Sequence, residues 1–218
     1  MKWPKTPTLT EARDLQDRLR KNVRVSPLAK GPRYIAGVDA AFSDDRVFAG
    51  VCLYSFPELA LLEHKTAILK LSFPYVPGYL SFREGPAIIA ALRKLSRTPD
   101  VILVDGQGIA HPRGLGIASF IGVFLDIPTI GCAKSRLIGA YTEPGIGKGS
   151  WSPLWFERRT VGAVVRTRDR TRPLFISPGH RTDLASAIEI ALNCIGKYRI
   201  PEPLRCADRF SKQIKREK

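Results

Sequence analysis

Two aspartates, Asp39 and Asp105, lie where apolar strand-like segments would not tolerate an unpaired carboxylate. Asp39 is inside the run 34–42, and Asp105 ends the run 101–105. An isolated ionised carboxylate in such a setting costs several kcal/mol unless a cation or a network of donors compensates it. Two residues of this kind suggest a divalent metal ion that both of them bind.

Glu84 is a third candidate, and its local sequence allows a structural alternative. Ser81 and Glu84 have the S-x-x-E spacing of a capping box, in which the glutamate only accepts a helix-start N–H. Pro86, however, fits best as the first helical residue, which would place Glu84 before the helix and leave its carboxylate free. The local sequence supports capping and catalysis equally.

Carboxylates that meet at adjacent strand ends suit Mg²⁺, which prefers hard oxygen ligands and keeps several waters. Such a site lowers the pKa of an attacking water and neutralises charge on the leaving oxygen. In-line cleavage of a phosphodiester needs both effects. The alternative is that Asp39 is a buried hydrogen-bond acceptor and Asp105 a strand-end cap.

The charge of the chain indicates a polyanionic partner. The sequence has 35 Lys and Arg against 20 Asp and Glu, a formal net charge of +15, and the excess is spread along its length. A polyanion is the expected partner of such a surface. A solvated basic face is the alternative. Charge alone does not separate DNA from RNA or from an acidic membrane.

The periodicity of apolar residues predicts four helices and seven strands. The helices are expected at residues 8–22, with a cap at Thr10, and at 86–95, 118–125 and 183–195. The strands are expected at 34–42, 47–55, 61–71, 101–104, 128–133, 155–167 and 174–177. Short connections between the first three strands favour an antiparallel meander, and the later alternation of strand and helix favours parallel strands.

These elements predict an α/β fold with one mixed central sheet, three antiparallel strands followed by parallel strands, flanked by α-helices. The length of 218 residues suits a single domain over residues 1–218. Residues 209–218 contain five basic residues and one acidic residue, which is typical of a mobile, phosphate-facing basic tail.

Neither a signal peptide nor a membrane span is predicted. The segment 1–7 has no apolar stretch, and the apolar run 117–130 is interrupted by Asp126 and Pro128. The four cysteines, Cys52, Cys132, Cys194 and Cys206, include no CxxC pair, so neither a zinc site nor a disulfide framework is expected. We therefore expect a cytoplasmic protein that does not bind membranes.

Five motifs, in this order, resemble those of the endonuclease V family. They are Ile35-Ala-Gly-Val-Asp39; Pro74-Tyr-Val-Pro-Gly78 with Phe82-Arg-Glu-Gly-Pro86; Asp105-Gly-Gln-Gly-Ile-Ala-His-Pro-Arg-Gly-Leu-Gly116; Gly131-Cys-Ala-Lys-Ser-Arg136; and Ser177-Pro-Gly-His-Arg181. They cover most of the chain from Tyr34 to Asp208. One D-G-x-G alone would be weak, but the combination is specific.

The resemblance implies a ribonuclease H-like fold and a DNA-repair endonuclease. Such an enzyme recognises deoxyinosine in DNA and hydrolyses the second phosphodiester bond on its 3′ side, leaving 3′-hydroxyl and 5′-phosphate ends. The implied cofactor is Mg²⁺, for which Mn²⁺ is expected to substitute, and a monomer is expected. Some members of the family prefer inosine in RNA, so an endoribonuclease remains the alternative.

The resemblance also assigns catalytic residues. Asp39 and Asp105 match the carboxylates that hold magnesium, with Glu84 alongside them. Lys134 matches the lysine that approaches the reacting phosphate, where an ammonium offsets developing charge. Asp208 matches a late-helix residue that completes the carboxylate set. Its alternative role is to open the terminal helix, where a carboxylate offsets exposed N–H groups.

A wedge and a lesion pocket follow from the same resemblance. The wedge comprises Pro74, Tyr75, Val76 and Pro77, a stiff loop that presents an aromatic and a branched side chain; the alternative is an ordinary Pro-rich turn. The pocket for a flipped hypoxanthine comprises Gly78, Leu80, Gly106, Gly108, His111, Gly116, Ile117, Gly131 and Ala133. Phosphate contacts are assigned to Arg83, Ser135 and Arg136.

Both histidines in these motifs have structural alternatives. His111, taken alone, is more often a structural hydrogen-bonding residue than a ligand or a base. His180 precedes the helix predicted from Asp183, and we expect it to be structural or to contact the backbone.

Overall fold

The computed structural model describes residues 7–217 as one eight-stranded sheet covered by helices. The strands are β1 (Tyr34–Phe42), β2 (Arg46–Ser55), β3 (Leu61–Lys70), β4 (Val101–Val104), β5 (Thr129–Ala133), β6 (Trp151–Phe156), β7 (Arg159–Val165) and β8 (Leu174–His180). The helices are α1 (Leu9–Leu19), α2 (Leu80–Leu92), α3 (Ile117–Leu125), α4 (Leu184–Asn193) and α5 (Glu202–Arg216). The strand order is β3-β2-β1-β4-β5-β8-β7-β6.

The centre of the sheet has the predicted arrangement. Strands β1, β2 and β3 form an antiparallel meander, and β1, β4 and β5 run parallel to one another. The four residues of β4 are all buried, as expected of a parallel strand with both faces covered. The predicted α/β class with a mixed sheet flanked by helices is thus confirmed.

The far half of the sheet differs from the prediction, because β8, β7 and β6 are antiparallel rather than parallel. The segment 155–167, predicted as one strand, is part of a hairpin made by β6 and β7. Its turn residues Glu157 and Arg158 adopt positive φ angles of 47° and 62°. Neither residue is a Gly, Asn or Asp, so the sequence carries no ordinary sign of a tight hairpin turn.

Helices cover both faces of the sheet. One core lies between the β1–β4 region and helices α2 and α3, and its large members include Val38, Val51, Ile88, Ile102 and Ile121. A second core lies on the opposite face, between β4, β5, β7, β8 and helices α4 and α5, and includes Leu103, Ile130, Ile176, Ile190 and Leu204. Alternation of side chains along the strands separates these two sets.

Two glycines allow α5 to lie directly on β1 and β2. A Cβ at Gly37 would be 2.1 Å from the carbonyl carbon of Pro203, and one at Gly50 would be 2.4 Å from the carbonyl oxygen of Ala207. Gly50 pairs with Asp39 in the β1–β2 register. Because the helix approaches so closely at these positions, the residue after Ala207, Asp208, is brought next to Asp39 of β1.

Two predictions about the C-terminal region, and the alternative role given for Asp208, are wrong. The basic segment predicted as a mobile tail is helical up to Arg216, the last residue of α5. Asp208 lies within this helix and does not open it, because the N-cap is Pro201. A disulfide joins Cys52 of β2 to Cys206 of α5, although no disulfide was expected. These cysteines are 154 residues apart, so their spacing gave no indication of pairing.

Helix α2 starts earlier than predicted. It begins at Leu80 and continues through Pro86, and its N-cap residue Tyr79 makes no side-chain capping bond. Both predicted placements of Glu84 are therefore wrong, since Glu84 neither caps the helix nor precedes it, while its catalytic role stays a prediction. An internal proline costs about 3 kcal/mol. Burial of Phe82, Ile88 and several neighbours along α2 offsets that cost.

The N-cap of the first helix lies two residues before the predicted one. Thr8, rather than Thr10, is the N-cap of α1, and it forms a capping box with Glu11. Residues 1–6, which include most of the segment judged to lack an apolar leader, lie outside the described residues. Within residues 7–217, no helix is both long and apolar enough to cross a membrane.

Candidate active site

Three adjacent parallel strands deliver Asp39, Asp105 and Lys134 to one edge of the sheet. Val38 of β1 is in register with Val104 of β4, and Val104 with Gly131 of β5. Asp39 and Asp105 each follow one of these register partners, and Lys134 follows the end of β5. The Nζ of Lys134 forms an ion pair with Asp105. The carboxyl ends of the strands thus bring together residues that the sequence places 95 positions apart.

Asp208 joins this group from α5. Its side chain is hydrogen-bonded to that of Asp39. One of its oxygens also lies 2.7 Å from the Nζ of Lys212, one helical turn further on. The proposed late-helix carboxylate is therefore in contact with the Asp39 carboxylate, as the catalytic assignment requires.

The electrostatics of the Asp39–Asp208 pair are asymmetric. Burial, the charge of Asp105 and the hydrogen bond with Asp208 all raise the pKa of Asp39. Burial also tends to raise the pKa of Asp208, but hydrogen bonds with Lys212 and Asp39 outweigh it, so the pKa of Asp208 is lowered. Protonation is therefore favoured at Asp39 over Asp208.

Glu84 approaches the same carboxylates from α2. Its residue exposure is only 8%. Burial raises the pKa of Glu84 well above its usual range, and the charges of Asp39 and Asp105 raise it further, against the opposing effects of Arg83 and Lys134. The pKa of Glu84 and that of Asp39 are thus both raised, an arrangement that a bound cation would relieve.

The donor chemistry fits a hard divalent cation. Asp39, Glu84 and Asp105 supply only carboxylate oxygens, the ligands that Mg²⁺ prefers. In the arrangement described for residues 7–217, no three Asp, Glu, His or Cys side chains are already spaced to hold a metal ion directly. Water molecules commonly complete Mg²⁺ coordination, so a site with few direct protein ligands is compatible with this ion.

A pocket of about 380 Å³ opens beside Asp105 and Lys134. Seven of the nine predicted lesion-pocket residues line it: Gly78, Leu80, Gly106, His111, Gly116, Ile117 and Ala133. Three of the four wedge residues, Tyr75, Val76 and Pro77, also line it. A planar base held in this pocket would lie next to the carboxylates, which is the relation that a lesion-directed nuclease needs.

The two remaining predicted pocket residues, Gly108 and Gly131, do not line the cavity. A Cβ at Gly108 would be 2.0 Å from the carbonyl oxygen of Pro178, and one at Gly131 would be 2.4 Å from the backbone nitrogen of Gly108. These glycines allow the loop after β4 to pack closely on β5 and β8. They therefore do not contact a base in the pocket but let the segments that carry the lining residues pack closely together.

Gln107 is a pocket residue that the sequence did not single out. Its side-chain nitrogen donates to the carbonyl oxygen of Ser135 at 3.0 Å, which ties the loop after β4 to the loop that carries Lys134. Gln107 lies in the motif that begins at Asp105, but a polar residue between two glycines is also typical of an ordinary loop, so nothing in the sequence marked it as a pocket residue. Ser81, Leu115 and Leu137 complete the lining and were also not predicted.

The wedge loop is anchored through the carbonyl oxygen of Gly78. This oxygen accepts bonds from Gln16 of α1 at 2.9 Å and from Arg113 at 3.0 Å, and His111 Nε2 lies 3.1 Å away. The Arg113 N–H donates to His111 Nδ1, so the ring proton is on Nε2 and points to Gly78. Gly78 itself has a φ of 81°, which favours glycine. His111 is thus a structural hydrogen-bonding residue, and it also lines the pocket.

His111 should make stability depend on pH. Burial, and then the charge of Arg113, lower the pKa of His111 to about 4, despite its bond to Gly78. Since the folded chain disfavours the protonated ring, the stabilising contribution is complete above about pH 6.5 and is lost as pH falls toward about 4. We expect wild type to lose about 3 kcal/mol more than His111→Gln between these pH values.

Urea unfolding of both proteins across this range measures the difference. The glutamine variant is matched because its amide can still donate to Gly78. Parallel stability curves for the two proteins would contradict the lowered pKa of His111. Other groups that titrate in this range, including His180, are common to both proteins and cancel.

The three proposed phosphate-binding residues have different surroundings. Arg83 donates to the carbonyl oxygen of Phe73 at 3.0 Å and lies over the ring of Phe42, so internal contacts already engage it. Ser135 and Arg136 are exposed and line the pocket. Their phosphate contacts stay a prediction.

His180 is buried and lies in a structural network, as expected. Its Nδ1 accepts the Arg24 N–H at 3.3 Å, and its Nε2 lies 3.1 Å from Asp126.

A mixed sheet with carboxylates at the ends of its central parallel strands and a lysine beside them is the arrangement of a ribonuclease H-like nuclease. Comparisons with known proteins agree with this class. Residues 17–209 match the sequence profile described as Endonuclease V. The chain therefore belongs to the Endonuclease V family, whose members are DNA-repair endonucleases and are generally metal-dependent.

Individual relatives support this membership over nearly the whole chain. An Endonuclease V from Nostoc punctiforme is 50% identical over 212 residues, covering 96% of this chain and 95% of that protein. The crystal structure of Endonuclease V from Streptomyces avermitilis is 41% identical, with a TM-score of 0.93, covering 99% of this chain and 95% of that one. Ciona intestinalis Endonuclease V, bound to a 24-mer DNA containing an inosine followed by a ribo-adenosine, is 30% identical with a TM-score of 0.85, covering 96% and 99%.

Proposed function

We propose that this protein recognises deoxyinosine in DNA and hydrolyses the second phosphodiester bond on the 3′ side of the lesion, with Mg²⁺ as cofactor and Mn²⁺ as a substitute. The products carry 3′-hydroxyl and 5′-phosphate ends, and the lesion stays in the strand. The observation that supports this most strongly is the position of Asp105 and Lys134 at the rim of a base-sized pocket, with Asp39 close to Asp105.

The chain's own residues divide the work in this proposal. Asp39 and Asp105 hold the metal ion, with Glu84 and Asp208 beside them. When bound, Mg²⁺ activates a water and neutralises charge on the leaving oxygen. Lys134, at the junction of the metal site and the pocket, positions the reacting phosphate and offsets its charge. The pocket holds the flipped base, and the wedge loop fills the gap that flipping leaves.

A nicking assay tests the proposal directly. Duplex DNA with one deoxyinosine, an otherwise identical duplex with adenine, and duplexes bearing uracil, xanthine or an abasic site are incubated with and without Mg²⁺. We expect cleavage of the inosine strand only with the metal, at the second bond 3′ to the lesion. Equal cleavage of the adenine duplex, or a cut at another position, would contradict the proposed specificity.

Inosine-containing RNA is the second candidate substrate. The relative from Ciona intestinalis was crystallised on DNA in which a ribo-adenosine follows the inosine, so that protein accommodates a ribose at that position. A matched single-inosine RNA belongs in the same assay. Faster cleavage of the RNA than of the DNA would favour the endoribonuclease alternative.

Tyr75 should contribute to lesion binding. Its side chain is unusually exposed for a tyrosine, at 71%, and it stands at the mouth of the pocket. Because base–aromatic stacking is worth about 1–3 kcal/mol, Tyr75→Ala should weaken binding of inosine DNA about tenfold or more. Tyr75→Phe, which keeps the ring, should bind like wild type. Fluorescence anisotropy in metal-free buffer measures the effect. Equal affinity of all three proteins would show that Tyr75 is not a wedge but part of an ordinary Pro-rich turn.

The cytoplasm as compartment, a monomer as the working state and a single domain over residues 1–218 belong to the same proposal. None of them changes the assays above.

A further inference from the structure

A second cavity, of about 1050 Å³, meets the lesion pocket at Asp105 and Lys134, the two residues that line both. It is lined by α5 and by the loops 166–173 and 194–201. We call this cavity the basic cleft. A strand that leaves the lesion pocket and passes the catalytic carboxylates would reach this adjoining surface next.

One face of α5 supplies a row of positive charge to the basic cleft. Arg205, Arg209, Lys212 and Arg216 follow the i, i+4, i+7, i+11 spacing of one helix face, and all four line the cleft. At about 1.5 Å of rise per residue the row is roughly 16 Å long. The loops add three further cations, Arg168, Lys197 and Arg199.

The lining of the basic cleft contains eight cations and four carboxylates, so positive charge is in excess there. Lys212 pairs with Asp208, and Arg205 lies 3.7 Å from Glu202. Lys134, where the cleft meets the lesion pocket, pairs with Asp105. Among the described residues, no carboxylate lies within ion-pair distance of the remaining exposed cations of the basic cleft, which are Arg168, Lys197, Arg209 and Arg216. Like charges gathered in a concave surface focus a positive field, which attracts a polyanion.

Tyr198 adds a flat surface to the basic cleft. Its side chain is 48% exposed, and the guanidinium carbon of Arg205 lies 3.4 Å from the ring centroid. Aromatic rings and arginine planes that lie in a basic groove stack unpaired bases without regard to sequence. The cleft therefore combines the two features of a surface that binds a single strand.

We propose that the basic cleft binds the substrate strand on the 3′ side of the scissile bond, with its phosphates along the α5 row and an unpaired base against Tyr198. The direction rests on the proposed function, because a cut 3′ to the lesion places the lesion side in the pocket and the 3′ flank beyond Asp105 and Lys134. The cleft would thereby hold the scissile phosphate in register and retain the 5′-phosphate product strand.

Substrates of different flank length test this assignment. Inosine duplexes are prepared whose lesion strand extends either about two or about ten nucleotides beyond the cut, a range that brackets one single-strand binding site. Wild type should nick the long-flank substrate with a kcat/KM about tenfold higher than that for the short-flank substrate, and the difference should come from a lower KM. The double variant Arg209→Gln/Arg216→Gln should nick both at the short-flank level. Lys215→Gln, on the same helix but outside the cleft, should behave as wild type.

A double variant that keeps the wild-type preference for the long flank would overturn the assignment. A wild type without inosine-dependent nicking would contradict the proposed function instead, and a second measurement still tests the cleft. Affinity for lesion-free single-stranded DNA is measured against salt concentration. Loss of two phosphate contacts should reduce the slope of log K against log salt by about 1.4–2, with no change for Lys215→Gln. An unchanged slope in the double variant also overturns the assignment.

Discussion

Replacing Asp39 or Asp105 by alanine should lower the rate of inosine-DNA nicking at least about a thousandfold, which corresponds to about 4 kcal/mol of lost transition-state stabilisation. Each carboxylate follows the last residue of the parallel pairing between β1 and β4, and the Asp105 carboxylate is paired with Lys134. Binding of inosine DNA in metal-free buffer should change little, because the other residues that line the base pocket and the exposed cations around it remain in place. Single-turnover nicking and anisotropy measure the two effects.

A metal-binding measurement separates loss of the site from loss of the fold. When Mg²⁺ is present at about tenfold its dissociation constant, it should stabilise wild type by about 1.4 kcal/mol, and this gain should vanish in both variants. Asp44→Ala, which removes an exposed aspartate from the β1–β2 turn, is the matched control and should keep the gain and the nicking rate. Magnesium-dependent turnover in Asp39→Ala or Asp105→Ala would remove the proposed site.

The central strands could be predicted from the sequence because they are continuous apolar runs, which is the pattern of strands buried on both faces. In that background Asp39 and Asp105 were conspicuous, and their convergence follows from the parallel register of β1 and β4. The local sequence was sufficient here, because the apolar runs indicate that these strands are buried and the helix between strands indicates that they are parallel.

Glu84 shows where local rules fail. Pro86 is an ordinary sign of a helix start, yet the helix runs through it, because the apolar face of α2 is buried along its whole length. Tertiary packing overrode the propensity of one residue. The carboxylate of Glu84 could be recognised as a candidate metal ligand from the sequence. Its place within α2, however, depends on packing of that helix against the rest of the fold, which the local sequence does not describe.

Features assembled from distant segments were beyond sequence reasoning. The position of Asp208 depends on Gly37 and Gly50, whose missing side chains let α5 approach the sheet. The Cys52–Cys206 disulfide joins the same two elements. The basic cleft combines two loops and one face of α5. The segment 209–218, which includes part of that helix face, was predicted to be a mobile tail. Each of these features is a property of the packing of α5.

Asp208→Asn should slow nicking about a hundredfold at limiting Mg²⁺, a loss of about 2.7 kcal/mol, and should raise the Mg²⁺ concentration needed for half-maximal rate. Asp208 is the carboxylate that contacts Asp39, and its lowered pKa keeps it ionised and able to bind a metal ion or its water. Asparagine keeps the size and a hydrogen-bond acceptor but loses the charge. The alternative role at a helix start does not apply, since Asp208 lies in the interior of α5.

Stability and activity together distinguish the catalytic role of Asp208 from a structural one. The main structural interaction that Asp208→Asn weakens is the i, i+4 pair with Lys212, and such pairs contribute only about 0.3–0.5 kcal/mol. The melting temperature should therefore change little. Glu202→Gln makes the same chemical change near the start of α5, away from the carboxylate group, and should leave the Mg²⁺ dependence unaltered. Wild-type rates for Asp208→Asn at limiting Mg²⁺, with an unaltered melting temperature, would rule out its metal role.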